Sequence, residues 1–173
     1  MVMITSPPAM LEALGAAGPH PDHADRLMLF GRFVGAWDVE ATLIADDGKR
    51  SRHRGEWLFG WVLEGRAIQD VLISPPRRAG GATLECGSTV RFYDPETDSW
   101  QITWITPPQR AVRRLVARPA DHGILIEGRE ESGRLLRWTF TEISDDSFTW
   151  SGYISDDHGA TWRHNEVMRC HRR

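Results

Sequence analysis

Residues 87–104, GSTVRFYDPETDSWQITW, decide the fold class because they contain two strand-like runs joined by a short turn. On either side of DPETDS, residues alternate in character with the two-residue period of a β-strand. The connection consists mainly of turn-forming residues, and a connection this short joins neighbouring strands in antiparallel orientation. The segment therefore predicts a β-hairpin.

The same alternation extends from Gly35 to the end of the chain, interrupted by turn segments such as ADDGK, LEG, ESGR and SDDS. These breaks separate about ten segments of strand length. A meander of that many strands removes its unpaired edges by closing on itself. We therefore predict an all-β fold, an up-and-down antiparallel β-barrel of about ten strands with a short N-terminal helix at residues 22–35. Residues 1–21 are predicted to form a flexible arm and residues 22–173 the barrel domain.

Composition and length exclude several classes of function. A chain of 173 residues is the size of one domain and too short for a propeller. With 21 basic and 24 acidic residues, it has no positive excess to bind nucleic acid. No apolar run reaches the length of a membrane helix, and Glu12 interrupts the uncharged N-terminus where a signal peptide needs its apolar core. We therefore expect a cytoplasmic protein with no nucleic-acid or membrane partner.

Metal and redox sites are not predicted. Cys86 and Cys170 match neither a metal-binding nor a redox spacing. They are expected to be free thiols in a reducing compartment, with a single disulfide as the alternative. We predict no metal and no cofactor.

The segment SDDHGATW, residues 155–162, matches the Asp-box pattern of sialidases. A single copy between two predicted strands indicates a hairpin in which Ser155 and Asp157 hydrogen-bond the turn and Trp162 packs on the core. It gives no indication of a sugar substrate.

Eight tryptophans fall mostly on the predicted strands. Each can bury about 150–250 Å², so together they either fill the barrel or line a cavity for a flat apolar guest. The candidate ligand-binding residues are Trp57, Tyr93, Trp104, Trp138, Trp150 and His164.

Four polar residues are candidates for acid–base chemistry inside the barrel: Glu166, Arg91, His53 and Asp70. Alternation on the last strand places His164, Glu166 and Met168 on one face. Which face of the third and fourth strands points inward stays open. A buried charge is costly unless it is paired, so Glu166 and Arg91 are expected to neutralise one another if both point inward. The alternative is that one or both lie on the outer surface.

The segment FVGAWDVE, residues 33–40, resembles the Gly-x-Trp opening of lipocalin and calycin barrels. GSTVRFYDPETDSWQITW, ILIEG and FTWSGYISDDHGATWRHNEVMRCHRR follow it in an order similar to a bacterial lipocalin-like family of unknown function. The resemblance covers residues 25–173 and implies a calycin-type barrel and a homodimer as one form of assembly. It brings no activity with it. The fold is also distantly similar to nitrobindin, which would imply haem binding through His164.

Two functional hypotheses follow from these observations. The first is a barrel that binds a small hydrophobic or aromatic ligand in a tryptophan-lined cavity. The second is a small cofactor-free enzyme, of the cyclase, isomerase, lyase or decarboxylase type, that uses an inward acid–base pair in the same cavity. A haem-binding protein is a further alternative, and so is a filled barrel whose outer surface mediates assembly.

Overall fold

The alternating segments form one continuous antiparallel sheet in the computed structural model, which describes residues 8–173. Two α-helices precede most of the sheet, α1 (Ala9–Leu14) and α2 (Ala24–Gly31). The strands are β1 (Gly15–Ala16), β2 (Gly35–Ile44), β3 (Arg50–Val62), β4 (Ala67–Ser74), β5 (Glu85–Asp94), β6 (Ser99–Thr106), β7 (Ala111–Ala120), β8 (Gly123–Arg129), β9 (Leu135–Thr141), β10 (Ser147–Ser155) and β11 (Arg163–Arg172).

Strands β2 to β11 close into a ten-stranded up-and-down barrel. Each strand pairs with the next along the chain, and β11 returns to β2 with Met168 opposite Ala41 and Cys170 opposite Val39. The predicted fold class is therefore confirmed. The additional strand β1 pairs with the end of β3, where Gly15 and Ala16 face Val62 and Trp61.

The predicted N-terminal arm, residues 1–21, lies partly outside the described residues. Within them, the backbone N–H of His20 donates to the Gly65 carbonyl at 3.0 Å. A β-carbon at Gly65 would overlap the carbonyl of Gly18, and the positive φ of Gly65 also favours glycine. The chain after β1 therefore lies directly on the turn between β3 and β4. The flexibility of the arm and the boundary at residue 21 stay predictions.

Helix α2 fills one end of the barrel. Leu27 and Phe30 on the helix and Phe33 after it are buried in the core. The indole N–H of Trp37, at the start of β2, donates to the Phe33 carbonyl at 2.7 Å. Apolar side chains thus pack the helix against the core. A hydrogen bond joins the residues just after the helix to the strand that follows.

Arg172, at the end of β11, fixes this closed end from outside. Its guanidinium donates to the carbonyls of Arg32 at 2.8 Å, Val34 at 2.9 Å and Asp145 at 2.6 Å. It also lies over the Trp37 ring, 4.1 Å from the centroid. One side chain therefore joins the last strand, the residues after α2 and the turn before β10.

The structure settles the face of the third and fourth barrel strands. On β4, Ile68, Asp70 and Leu72 are buried inside the barrel, and on β5 so are Thr89 and Arg91. Phe92 on β5 is exposed.

Both cysteines are free thiols, and Cys170 is buried. Within residues 8–173, no helix combines the length and apolar character needed to cross a membrane.

We predict that Arg172→Ala lowers the free energy of unfolding by about 2–3 kcal/mol, because it removes charge-assisted hydrogen bonds to three carbonyls. Urea denaturation measures the change. Arg169→Ala is the matched control, since Arg169 lies exposed on the same strand. Equal losses for the two variants would show that Arg172 does not stabilise the closed end.

Candidate functional site

A cavity of about 250 Å³ opens at the end of the barrel opposite α2. A smaller lobe of about 140 Å³ adjoins it. The two share six lining residues: Leu43, Leu72, Glu85, Gln109, Glu166 and Met168. The barrel is therefore filled at one end and hollow at the other.

Four tryptophans form the wall of the larger lobe: Trp57, Trp104, Trp138 and Trp150. The ring centroids of Trp104 and Trp138 are 6.0 Å apart, edge to face, and those of Trp138 and Trp150 are 5.6 Å apart. Such aromatic surfaces suit a flat apolar guest. All four were predicted from the sequence as ligand-binding residues, and the fold brings them together.

A buried ion pair, Asp70 and Arg91, contributes to the deep part of the lining. Both side chains are almost fully buried, and Arg91 Nη2 donates to Asp70 Oδ2. The Arg91 guanidinium lies 4.8 Å from the Phe30 ring centroid and 5.4 Å from that of Phe59. Burial raises the pKa of Asp70, against the attraction of Arg91, and lowers the pKa of Arg91.

Arg91 is paired with Asp70 rather than with Glu166, the partner expected from the sequence. The reason is register: Ile68 on β4 faces Arg91 on β5, so Asp70 lies diagonally next to Arg91 on the same inner face. Glu166 is on β11, which does not neighbour β5.

Glu166 instead lies near the mouth of the cavity with Glu85. Burial raises the pKa of Glu166 to about 8, and the nearby Glu85 carboxylate adds to the shift. Burial also raises the pKa of Glu85, and the nearby His53 opposes part of this rise. His53 lines the smaller lobe, with its Nε2 3.1 Å from Ser51 Oγ. Three titratable groups therefore line the mouth.

Glu85 is not among the residues predicted from the sequence, because it falls in SPPRRAGGATLECG, residues 74–87, a segment long enough and rich enough in proline and glycine to indicate a flexible loop. In the structure β5 begins at Glu85. Glu85 has the same parity as Thr89 and Arg91, so it is identifiable as inward-pointing once the face of this strand is known.

His164 and Tyr93 do not line the cavity. Gly152 faces Glu166 but Tyr153 faces His164, which leaves Asn165 as a β-bulge. The extra residue reverses the alternation, so His164 lies on the outer face. There it stacks on Tyr153, with the two ring centroids 4.7 Å apart. Tyr93 donates its hydroxyl to Asp98 at 2.6 Å, away from the cavity. A haem in this cavity would therefore not reach His164.

The Asp-box segment closes the β10–β11 connection as expected. Asp157 accepts hydrogen bonds from the Thr161 backbone at 2.9 Å, the Thr161 hydroxyl at 2.6 Å and the Ser155 hydroxyl at 2.7 Å. These bonds, from Thr161 foremost, lower the pKa of Asp157 to about 2. Trp162 was expected in the core. Because of the same bulge it lies on the outer face instead, where the Arg137 guanidinium is 4.0 Å from the centroid of its ring.

We predict that Asp70→Leu lowers the free energy of unfolding by about 3–5 kcal/mol, because it leaves the Arg91 charge buried without a partner. The double variant Asp70→Leu/Arg91→Met removes both charges and should recover most of that loss. Thermal or urea unfolding measures both. A double variant no more stable than Asp70→Leu would contradict this account of the pair.

We predict that Glu166→Gln stabilises the protein at alkaline pH. The folded state holds the Glu166 proton to about pH 8 whereas the unfolded chain releases it near 4.5. The free energy of unfolding of the wild type therefore falls between these two values as pH rises. Glu166→Gln should remove this slope, with a gain of a few kcal/mol near pH ~8 and none near pH ~4. Glu40→Gln, exposed on the outer face of β2, is the control and should follow the wild type.

No protein family model matches the sequence, and no curated protein matches it. Solved structures similar in fold include two that align over most of this chain. Rv2717c from M. tuberculosis aligns with a TM-score of 0.65 and 13% identity over 90% of this chain and 99% of its own. The S-type phycobiliprotein lyase CPES from Guillardia theta aligns with a TM-score of 0.59 and 11% identity over 84% of this chain and 91% of its own. These similarities support the fold alone, a closed antiparallel β-barrel.

Proposed function

We propose that this barrel binds a small hydrophobic or aromatic molecule among its cavity tryptophans. One observation carries the proposal: an open cavity of about 250 Å³ is walled by four indole rings. Pockets of this kind bury most of a small ligand against apolar walls and orient it with few polar groups. The volume is at the small end of ligand pockets, which favours a guest of two or three fused rings.

The proposed contacts follow from the geometry. Trp104, Trp138 and Trp150 would pack against the faces and edges of the guest. The carboxyl groups at the mouth, on Glu85 and Glu166, would meet its polar end. The closed end, filled by α2, would contribute shape but no contacts.

A titration with the uncharged fluorophore N-phenyl-1-naphthylamine tests the proposal. We expect saturable binding with an increase in emission. Trp104→Ala should weaken the affinity by about tenfold or more, because it removes aromatic contact area worth about 1.5–3 kcal/mol. Trp162→Ala is the matched control, since Trp162 is similarly half-buried but on the outer face. Unsaturable binding, or equal loss in both variants, would contradict the proposal.

Native mass spectrometry of the protein as purified would identify a natural ligand directly. A reproducible added mass that is lost in Trp104→Ala and kept in Trp162→Ala would mark a cavity ligand. The same spectrum gives the mass of the assembly, and thereby tests the homodimer that the lipocalin-like resemblance implies.

A second candidate function is a small cofactor-free enzyme. One observation favours it: Glu166 lines the cavity with a pKa of about 8, so it carries a proton to donate near neutral pH. The fold does not decide between binding and catalysis, because one structural neighbour is named a lyase. Incubation with a panel of conjugated small molecules, followed by NMR, tests this candidate. Turnover that falls above pH ~8 and is lost in Glu166→Gln would support it, and equal turnover in that variant would exclude Glu166 as the acid.

A further inference from the structure

Two carboxyl groups of the cavity lining have no ion-pair partner among the described residues. The lining contains three arginines, and each is held by a carboxylate of its own: Arg91 by Asp70, Arg113 by Glu130 at 3.0 Å and Arg134 by Asp156 at 2.8 Å. These pairs cancel in charge. Once they are set aside, the remaining acidic groups of the lining are Glu85 and Glu166.

Glu85 and Glu166 make no ion pair or side-chain hydrogen bond with the described residues. They share the lining of both lobes with the apolar side chains of Leu43, Leu72 and Met168. His53 also lines the smaller lobe and opposes part of the rise in the Glu85 pKa, but among the described residues it forms no ion pair with either carboxylate. Two carboxyl groups that share one cavity lining and have no ion-pair partner are costly when charged. The mouth of the cavity therefore lacks a paired cation, which a ligand can supply.

The aromatic wall also favours a positively charged ligand. The faces of tryptophan rings carry negative electrostatic potential and attract cations, most strongly where water is excluded. Trp104, Trp138 and Trp150 form this wall beside the two carboxyl groups. The wall and the mouth thus select for the same property, an apolar body that carries a positive charge.

We propose that the cavity ligand is a hydrophobic amine, whose ammonium group binds between Glu85 and Glu166 while its apolar part packs among the tryptophans. This inference rests on the proposed binding function and specifies its ligand class. A divalent metal is a poorer occupant, since it needs three or four protein ligands. Within residues 8–173, no group of three candidate metal ligands occurs.

Binding of an ammonium group is coupled to release of a proton. The free cavity holds a proton on Glu166 near neutral pH, because its pKa is about 8. The ammonium group stabilises the carboxylate, so Glu166 loses this proton to solvent as the ion pair forms. The charge of the complex is conserved: one cation enters the cavity and one proton leaves it.

Three probes of one shape test the ligand class: naphthalen-1-ylmethylammonium, naphthalen-1-ylmethanol and naphthalene-1-carboxylate. We expect the ammonium compound to bind at least about tenfold more tightly than the alcohol, and the carboxylate to bind most weakly. Calorimetry in two buffers of different ionisation enthalpy should show release of about one proton for the ammonium compound and none for the alcohol. The affinity for the ammonium compound should rise about tenfold or more from pH ~6 to pH ~8, since the carboxylate form becomes populated.

Two variants test the residues. Glu166→Gln should abolish the proton release and bring the affinities for the ammonium compound and the alcohol within about threefold of each other. Glu85→Gln should weaken the ammonium compound and leave the alcohol unchanged. Glu40→Gln, which removes a carboxylate from the outer face of β2, should bind both probes as the wild type does.

The outcomes separate this inference from the function on which it rests. Equal affinity for ammonium compound and alcohol, or tightest binding of the carboxylate, would overturn the amine and leave a binding cavity in place. Failure of all three naphthalenes in protein that binds N-phenyl-1-naphthylamine would overturn the amine as well. If that fluorophore also fails to bind, the binding function itself is overturned.

Discussion

The hollow end of this barrel depends on how firmly the other end is closed. Trp37 donates to the carbonyl of Phe33, and Arg172 lies over the Trp37 ring while it binds carbonyls from two connections. These contacts hold α2 inside the barrel, where its aromatic residues fill the core. A sheet of ten strands encloses more space than these side chains occupy. Because α2 fills the closed end, the unfilled space lies at the opposite end and forms the cavity.

The two kinds of acidic group in the cavity show how the protein treats buried charge. Asp70 is compensated inside the chain by Arg91, and this pair also supports the aromatic packing beneath the cavity. Glu166 has no such partner, and its raised pKa keeps it neutral near pH 7. A paired buried charge stabilises one packing arrangement. A buried carboxyl without a partner is instead stabilised when it binds a cation or a proton. Function is therefore better sought at Glu166 than at Asp70.

Local sequence patterns predicted the barrel because its signals are local. Alternation, turn residues and the Gly-x-Trp opening each determine a neighbouring contact, and short connections leave few ways to join the strands. Trp104, Trp138 and Trp150 were likewise named as candidates from the sequence, but whether the tryptophans fill the barrel or line a cavity stayed open. The ion pairs could not be predicted in this way, because the partner of Arg91 depends on the register between β4 and β5. His164 was misplaced because a bulge at Asn165 leaves no mark in the alternation.

That bulge has an evolutionary consequence. In a strand with two-residue alternation, one inserted or deleted codon exchanges the inner and outer faces of every residue on one side of it. Deletion of Asn165 is the exception, because it removes the unpaired residue and leaves Glu166 opposite Gly152 and His164 opposite Tyr153. The strand pairing becomes regular and every other side chain of β11 keeps its face. A difference of one residue at this point of β11 therefore changes the cavity lining only by the side chain of Asn165, and homologues with and without it keep a residue such as Glu166 in the cavity.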